Sequence, residues 1–258
     1  QAARPLAGHG IKPLLRRLLD TAPDRPLPSV AVDTRLAAYL LDPAETRYAI
    51  EDLLVRYAQL ELPSGTAAPE GQLDLSADTI DDALLACRRA LAVDRMVPPL
   101  LAALAAQGLR KLNDEIETPL VAVLARMEHL GVGVDRAELQ GLSDRLSAEA
   151  KELAAAIQED AGEEFNVNST PQLRTILFEK LGLTPTKKTK TGASTDAQSL
   201  EKLSGQHPII DHLLRYREVE KLRSTYGEGL LAEVAADGRI HATFNQTVAR
   251  TGRLSSDA

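Results

Sequence analysis

The sequence has little aromatic character and almost no cysteine. Phe, Trp and Tyr make up 3% of the 258 residues, and Trp is absent, so a core must be built from Leu, Ala, Val and Ile, a composition that favours helices. The one cysteine, Cys87, excludes an intramolecular disulfide framework, and we predict it to be a small buried thiol. No apolar run reaches the roughly 18 residues that span a bilayer, and no secretory signal is visible. The sequence therefore predicts a cytoplasmic protein that does not contact membranes.

The formal net charge of −7 has the wrong sign for a typical nucleic-acid binder. An average can still hide a local basic surface, so the positions of the charges decide the question. With 44% hydrophobic residues, the chain can fill one large or two modest cores. Its first residues, "QAARPLAGHG", indicate a cut through a domain rather than a natural start.

The first part of the chain predicts an α/β arrangement. The run "PSVAVDT" (residues 28–34) is typical of a short buried strand, and "RLAAYLL" after it predicts a helix. Proline, glycine and small residues at positions 62–72 predict a loop or linker. Residues 77–110 have a helical pattern, with a break expected at Pro98-Pro99.

Two helices with apolar faces are predicted next. The first ends at Gly131 as C-cap, and the second runs from a cap at Asp135 to Asp160. At 1.5 Å per residue the second helix would be about 38 Å long, which favours a projecting arm; a coiled-coil partner helix is the alternative. The predicted inward faces are Ile116, Leu120, Val123, Met127 and Leu130 in the first helix, and Leu139, Leu142, Leu146, Leu153 and Ile157 in the second.

The last third of the chain alternates helices with polar segments. "STPQLRTILFEKLG" predicts a helix, and Thr195 with Gln198 predicts a capping box for a short one. In "HPIIDHLLRYREVEKLRSTY" a further helix is expected. Alternation at Ile240, Ala242 and Phe244 then predicts the start of a β-sheet. The expected inward face of the last helix is Ile209, Leu213, Tyr216, Val219, Leu222 and Tyr226.

Three elements in this region combine basic and hydroxyl side chains. They are the lysine loop (residues 187–194), one face of the last helix, and the segment "TFNQTVARTGRLSS" (residues 243–256). Lysines on a flexible loop suit a phosphate backbone, and Ser, Thr, Asn and Gln on extended backbone can bond phosphates and minor-groove acceptors. Taken alone, a lysine run is more often a solvated loop, and basic residues on an amphipathic helix are more often its solvated face. The last segment has no comparable structural explanation.

Three stretches resemble the bacterial DNA polymerase I family (family A DNA polymerases): "FNVNSTPQLRTILFEKLGL", "YREVEKLRSTY" and "GRIHATFNQTVARTGRLSS". The resemblance runs from about Asn113 to Ser256, and residues 1–110 more loosely resemble the second half of that family's 3′–5′ exonuclease domain. It implies a mainly α fold with an α/β part. Residues 1–110 would be the C-terminal half of a degenerate, ribonuclease-H-like exonuclease domain, 111–237 a helical thumb, and 238–258 the start of an antiparallel palm sheet.

The resemblance also implies which residues contact primer–template DNA. The lysine loop would be the thumb tip that follows the duplex backbone. The T-G-R strand would begin the palm, with Arg253 reaching the minor-groove edge of the primer-terminal base pair, while Thr251 and Gly252 let the backbone approach closely. Arg250 replaces a residue that is usually small in the family. The implied DNA-binding residues are Lys187, Lys188, Lys190, Thr191, Ser194, Thr195, Arg217, Lys221, Ser224, Thr225, Asn245, Gln246, Thr247, Arg250, Thr251, Gly252 and Arg253.

By the same resemblance, the proofreading carboxylates are lost. "GHGIKPL" places Gly10 and Leu14 at the family's Asn and Asp positions, and "RALAV" places Arg89 and Val93 at its Tyr and Asp positions. Leucine and valine cannot ligate Mg²⁺. A one-residue register shift could recruit Asp94, but no shift recovers a carboxylate for Leu14. We therefore expect no 3′–5′ exonuclease activity.

The resemblance places the palm aspartates and the fingers helix beyond residue 258. It implies a Mg²⁺-dependent DNA-directed DNA polymerase as the parent, acting in replication and repair with deoxynucleoside triphosphates. This chain alone would be inactive, monomeric and nucleoid-associated, and no catalytic residue or metal ligand is assigned to it. A non-enzymatic DNA-binding or scaffold protein of the same fold is the alternative, and a purely structural helical protein is a third.

Overall fold

The computed structural model describes residues 5–62, 82–189 and 192–257. They form two compact units: unit 1 is Gln1–Val132 with His241–Ala258, and unit 2 is Gly133–Ile240. Most of the described residues are helical and the sheets are small, which confirms the mainly α fold. The predicted linker at 62–72 falls outside the described residues, apart from Leu62.

Unit 1 begins with a parallel strand pair, β1 (Leu6–Gly8) and β2 (Val30–Asp33), joined through helix α1 (Lys12–Thr21). The predicted strand at 28–34 is therefore confirmed, as is the helix after it, α2 (Thr34–Leu41). Asp33 caps α2 by accepting from the N–H groups of Arg35 and Leu36. The same carboxylate accepts from Gly10 N–H at 2.8 Å and Ile11 N–H at 2.7 Å, which fixes the turn that starts α1.

Helices α3 (Ile50–Ala58) and α4 (Asp82–Ala106) complete the core around this strand pair. The break expected at Pro98-Pro99 was wrong, because α4 continues through both prolines. Met96, Leu100 and Leu104 are fully buried on α4, and this packing offsets the cost of proline inside a helix, about 3 kcal/mol per residue. Cys87 is exposed on the same helix, so the prediction of a buried thiol was wrong as well.

The chain then passes through α5 (Arg110–Leu112) and a π-helical turn (Asn113–Glu117) into α6 (Thr118–Leu130). Gly131 ends α6 as predicted, with φ +64. The predicted inward face was wrong, since α6 buries Val121, Leu124, Ala125 and Glu128. Leu120 of the predicted face is half-buried. Its other four members are exposed, namely Ile116, Val123, Met127 and Leu130. The physical reason is that α6 packs on α1, and its side with Val121 and Ala125 joins the core cluster that contains Leu15 of α1.

Among the described residues, no single helix is both long and apolar enough to cross a membrane. Ala83–Ala106 and Arg110–Leu130 meet that criterion only as a pair bent by 120°.

Unit 2 is built on the long helix α7 (Arg136–Ala161), which follows the two-residue strand β3 (Val132–Gly133). Its start is confirmed, because the Asp135 carboxylate accepts from Ala137 N–H at 3.0 Å and Glu138 N–H at 3.1 Å. The predicted face is confirmed too, since Leu146 and Ile157 are buried and its other members are half-buried. Helix α8 (Thr170–Arg174) and a π-helical turn (Thr175–Lys180) pack beside it.

A short antiparallel pair follows, β4 (Lys188–Thr189) and β5 (Gly192–Ala193). The next helix, α9 (Ala197–Glu201), is capped by Asp196 rather than Thr195, so the predicted capping box was wrong. The Asp196 carboxylate accepts from Ser199 N–H at 2.8 Å, and its hydrogen bonds with Ser199 lower its pKa below the ordinary value. Thr195 is instead buried.

The last long helix, α10 (Pro208–Leu222), packs along α7 and buries Ile209, Leu213, Tyr216 and Val219 as predicted. Leu222 and Tyr226 were predicted to face inward but are exposed. The helix becomes π-helical at Arg223–Gly229, and the wider turn rotates Tyr226 off the α-helical face. Leu222 precedes this turn and is 36% exposed as the last residue of α10. Unit 2 ends with α11 (Leu230–Glu233) and β6 (Arg239–Ile240).

The chain returns to unit 1 in a final antiparallel pair, β7 (Thr243–Asn245) and β8 (Ser255–Asp257), with Phe244 opposite Ser256. This confirms the predicted start of a β-sheet. We call residues 243–257 the terminal hairpin.

Candidate nucleic-acid interface

The loop of the terminal hairpin, residues 246–254, displays two arginines to solvent. Arg250 and Arg253 are both exposed, and neither has a hydrogen-bond or ion-pair partner among the described residues. Thr251 and Gly252 between them are exposed as well. T-G-R was predicted to be a strand, and that was wrong, because the strands stop at Asn245 and resume at Ser255. A loop presents these side chains more openly than a paired strand would.

A tight turn sets the direction of the two arginines. Gly252 N–H donates to Ala249 O at 3.3 Å, which closes the turn over Arg250 and Thr251. Gly252 has φ +80, and a Cβ added there would meet no atom within 4 Å. The glycine is therefore required by the left-handed backbone and not by a lack of space. The close approach of the backbone to DNA at Thr251 and Gly252 stays a prediction.

The polar residues before the turn are partly used inside the protein. Asn245 Nδ2 donates to Asp257 Oδ2 at 2.6 Å, across the hairpin. Gln246 Nε2 donates to Glu117 O at 3.1 Å and to Glu117 Oε2 at 2.9 Å. Thr247 is half-buried. Asn245 and Gln246 keep their side-chain oxygens for other partners, so their role in DNA binding stays a prediction.

Three cations that sequence reasoning missed lie beside these residues. Lys12, Arg16 and Arg35 line a cavity of about 320 Å³ together with Asn245, Gln246 and Thr247. Lys12 contacts Glu128, and Arg16 lies 3.9 Å from the same carboxylate, whereas Arg35 has no ion-pair partner among the described residues. No sequence signal could have joined them to the hairpin, because more than 200 positions separate the two segments.

The lysine loop lies in unit 2 around β4 and β5. Ser194 N–H donates to Lys187 O at 2.8 Å and closes the loop. Lys187 is exposed, and its ammonium lies 3.3 Å from Asp196 Oδ2. Lys188 is described only by its backbone, in β4, and Lys190 and Thr191 lie outside the described residues. Ser194 and Thr195 are buried, which disfavours their predicted contacts with DNA.

Only part of the predicted basic face of α10 is accessible to solvent. The Arg217 guanidinium donates to Thr195 O and lies 3.4 Å from Thr195 Oγ1, and burial lowers the pKa of Arg217 from its ordinary value. Lys221, Ser224 and Thr225 are exposed. Arg217 therefore holds the end of the lysine loop, while the other three remain accessible.

The four positions assigned to a lost exonuclease site lie on helices α1 and α4 and in the turn before α1. Gly10, with φ +64, forms the turn before α1, and Leu14 is 50% exposed on α1. Arg89 and Val93 lie on α4 and line one cavity with Gly8 and His9. Leu14 is not among the residues that line this cavity. Asp94 is exposed beside the buried Val93. Within the described ranges, no group of three His, Cys, Asp or Glu side chains could hold a metal ion.

Two comparisons decide the family. The model of DNA polymerase family A matches residues 136–258. DNA polymerase I of Mycobacterium bovis is 40% identical over 262 aligned residues, which cover 98% of this chain. The chain belongs to DNA polymerase family A. The match to DNA polymerase I of M. bovis thus extends into residues 1–135, beyond the part that the family model covers.

Other family A proteins give the same result. DNA polymerase I of Bacillus subtilis is 41% identical over 87% of the chain, and that of Geobacillus stearothermophilus is 42% identical over 89%. The chain spans 28% of the length of the M. bovis protein and 26% of each of the other two.

A solved family A structure confirms the fold. The POL domain of Pol1 from M. smegmatis, in complex with DNA primer-template and dNTP, superposes with a TM-score of 0.82 at 36% sequence identity. The superposition covers 99% of this chain and 42% of that one.

Proposed function

We propose that this chain is part of a DNA-directed DNA polymerase that extends a primer on a DNA template, and that it grips the primer–template duplex. The observation that carries the proposal is the exposed loop of the terminal hairpin. It presents two arginines that have no partner among the residues the structure describes, in a chain that resembles a polymerase domain solved with primer-template DNA. A guanidinium that loses no internal bond on binding keeps its full attraction for DNA.

The regional assignments are part of this proposal. Residues 1–110 would be an exonuclease-like domain without a working metal site, 111–237 the thumb, and 238–258 the start of the palm. Arg253 would donate to the minor-groove acceptor of the primer-terminal pair. Every correct base pair offers an acceptor there, at purine N3 or pyrimidine O2, so one arginine can test pair geometry without reading sequence. Lys187, Lys221 and Arg250 would add contacts to phosphates.

The polymerase as a whole would use Mg²⁺ and deoxynucleoside triphosphates. We assign the metal ligands to other parts of the polymerase, as the resemblance to the family implies, and place no chemical step on this chain. Among the described residues, no group of three His, Cys, Asp or Glu side chains could hold a metal ion. We further propose that the parent polymerase is a cytoplasmic monomer that acts in replication and repair.

The test compares two double variants of equal charge in duplex binding. Arg250→Ala with Arg253→Ala removes the exposed pair, and Arg56→Ala with Arg215→Ala removes two arginines that already pair with Glu45 and with Glu149. We expect the first to weaken primer–template binding and to flatten the dependence of log K on log[salt] by up to about two. The control should change both only slightly. Equal effects would mean that the hairpin is not the contact surface.

Primer extension by the gene product that contains this chain separates an enzyme from a scaffold. Extension with Mg²⁺ and deoxynucleoside triphosphates supports the polymerase. Salt-dependent duplex binding without extension supports the non-enzymatic DNA-binding protein of the same fold.

A further inference from the structure

The terminal hairpin is attached to the N-terminal part of unit 1 at three points. The first is Phe244, whose N–H donates to Glu128 Oε1 at 2.8 Å and whose carbonyl accepts from Lys12 Nζ at 2.5 Å. Lys12 also bonds to Glu128, and the Glu128 side chain is only 3% exposed. A side chain of α1 and one of α6 therefore satisfy both backbone groups of Phe244, as a neighbouring strand would.

The second attachment is at the turn that carries the arginines. Tyr39 OH donates to Ala249 O at 2.6 Å, and this carbonyl is the one that accepts from Gly252 N–H. Tyr39 is 3% exposed, and its ring packs edge-on against Tyr48 with centroids 6.0 Å apart. The hydroxyl is therefore held in place by the core, and it fixes the first residue of the turn.

The third attachment is Gln246, whose amide donates to Glu117 just before α6. The three points lie at Phe244, Gln246 and Ala249, and two of them use only the backbone of the hairpin. The side chains of Arg250, Thr251 and Arg253 are left exposed. The arrangement thus fixes the backbone of the loop and leaves its DNA-facing groups accessible.

We propose that Tyr39, with Lys12 and Glu128, positions the T-G-R turn for DNA, so that residues 1–132 serve as the platform for the duplex contact. This inference rests on the proposed function. It gives the exonuclease-like region a role that needs no metal-binding carboxylate. Tyr39 is a positioning residue, since it acts on DNA only through Ala249 and the turn.

The structure supplies a matched pair of variants. Tyr39→Phe removes the hydroxyl that bonds Ala249 O. Tyr48→Phe removes a hydroxyl that donates to Asp42 O at 2.7 Å, in the same core and with the ring also buried. Both changes delete one buried tyrosine hydrogen bond, so they should lower thermal stability to a similar extent. Only the first is connected to the hairpin.

The first measurement is single-turnover primer extension by the polymerase that contains this chain. We expect Tyr39→Phe to slow extension about 2- to 10-fold, the effect of one neutral hydrogen bond, with little change in the apparent Kd for the nucleotide. Tyr48→Phe should leave the rate unchanged. In an Arg253→Ala background, Tyr39→Phe should have almost no further effect, because both changes act on the same contact. The proposal would be overturned if the rate losses of Tyr39→Phe and Arg253→Ala multiply in the double variant. Equal rate losses in Tyr39→Phe and Tyr48→Phe would overturn it as well.

The second measurement keeps the inference separate from the proposed function. Amide hydrogen exchange of residues 246–254 should accelerate in Tyr39→Phe, above all at Gly252 N–H, and remain as in the unmodified chain in Tyr48→Phe. Faster exchange in Tyr39→Phe together with no primer extension by the unmodified protein would support the attachment and reject the polymerase. Unchanged exchange would reject the attachment even if extension is observed.

Discussion

Arg253 and Arg250 lie three positions apart on one exposed loop, and a single substitution in each separates a reaction contact from an affinity contact. If Arg253 bonds the primer-terminal pair mainly in the reacting geometry, Arg253→Ala should slow extension about 10- to 100-fold, the value of one charge-assisted hydrogen bond. Duplex affinity should fall less. Arg250→Ala should show the opposite balance, because a phosphate contact holds ground state and transition state alike. Single-turnover rates and dissociation constants measure the two effects.

A primer that ends in 3-deazaguanine lacks the minor-groove nitrogen and serves as the control for Arg253. The unmodified polymerase should slow sharply on this primer, and Arg253→Ala should barely respond. Arg253→Lys should not recover the rate, since an ammonium lacks the planar fork. If the primer change and the alanine change reduce the rate independently, Arg253 does not touch that atom.

His9 gives a residue-scale prediction on stability. Burial lowers its pKa from 6.5, partly opposed by Asp33, and its Nδ1 lies 3.0 Å from Thr34 Oγ1. The unfolded chain therefore takes up a proton near pH 6.5 while the folded chain does not. Folding stability should fall as the pH drops from 6.5 towards the lowered pKa. Urea unfolding across this range should show a weaker pH dependence for His9→Asn. If the free energy of unfolding depends on pH equally in the unmodified chain and in His9→Asn, the assignment of this pH dependence to His9 is wrong.

At the scale of elements, the lysine loop is expected to supply sequence-independent affinity. Replacing Lys187, Lys188 and Lys190 by alanine should weaken duplex binding evenly across sequences. The slope of log K against log[salt] should flatten by up to about three, and by less where a lysine such as Lys187 already has an acidic neighbour. Alanine at Lys111, Lys151 and Lys202, which are exposed elsewhere, is the charge-matched control. If the loop variant leaves the slope of log K against log[salt] unchanged, the loop is a solvated segment that does not contact DNA.

Elements were predicted from the sequence more reliably than their faces. The cap of α7 at Asp135 and the end of α6 at Gly131 depend on neighbouring residues, and both were correct. The inward face of α6 was wrong because that helix is apolar on two sides, and periodicity favoured the larger side chains. The buried side includes Glu128, whose charge argues for solvent until Lys12, 116 positions away, is placed beside it.

At the scale of the whole molecule, the absence of proofreading is the main functional prediction. Leucine at 14 and valine at 93 cannot ligate the metal ions that two-metal hydrolysis requires. We expect no excision of a mismatched 3′ end with Mg²⁺ or Mn²⁺, either by this chain or by the polymerase that contains it. Metal-dependent 3′ trimming that persists through repurification would show this prediction to be wrong. Leu14→Asp with Val93→Asp should not restore activity, since Leu14 does not line the cavity that Val93 shares with His9.

The candidate site was located from the sequence, but the way it is held was not. The T-G-R motif singled out a loop whose arginines the structure exposes, yet the residues that fix that loop carry no motif. Tyr39 and Ala249 are 210 positions apart, and Gln246 and Glu117 are 129 apart. Periodicity and capping rules describe neighbours in sequence, so contacts of this range become visible only in the folded chain.

The exposed position of Cys87 has a practical consequence. It is the only thiol in the sequence and lies on the long helix α4. A maleimide fluorophore can therefore be attached at one defined site on a helix, without removing any other cysteine. When the labelled, otherwise unmutated chain binds DNA, the complex tumbles more slowly than the free chain, and the fluorescence polarisation of the dye rises. Each affinity named above then becomes measurable by polarised emission from a single native position.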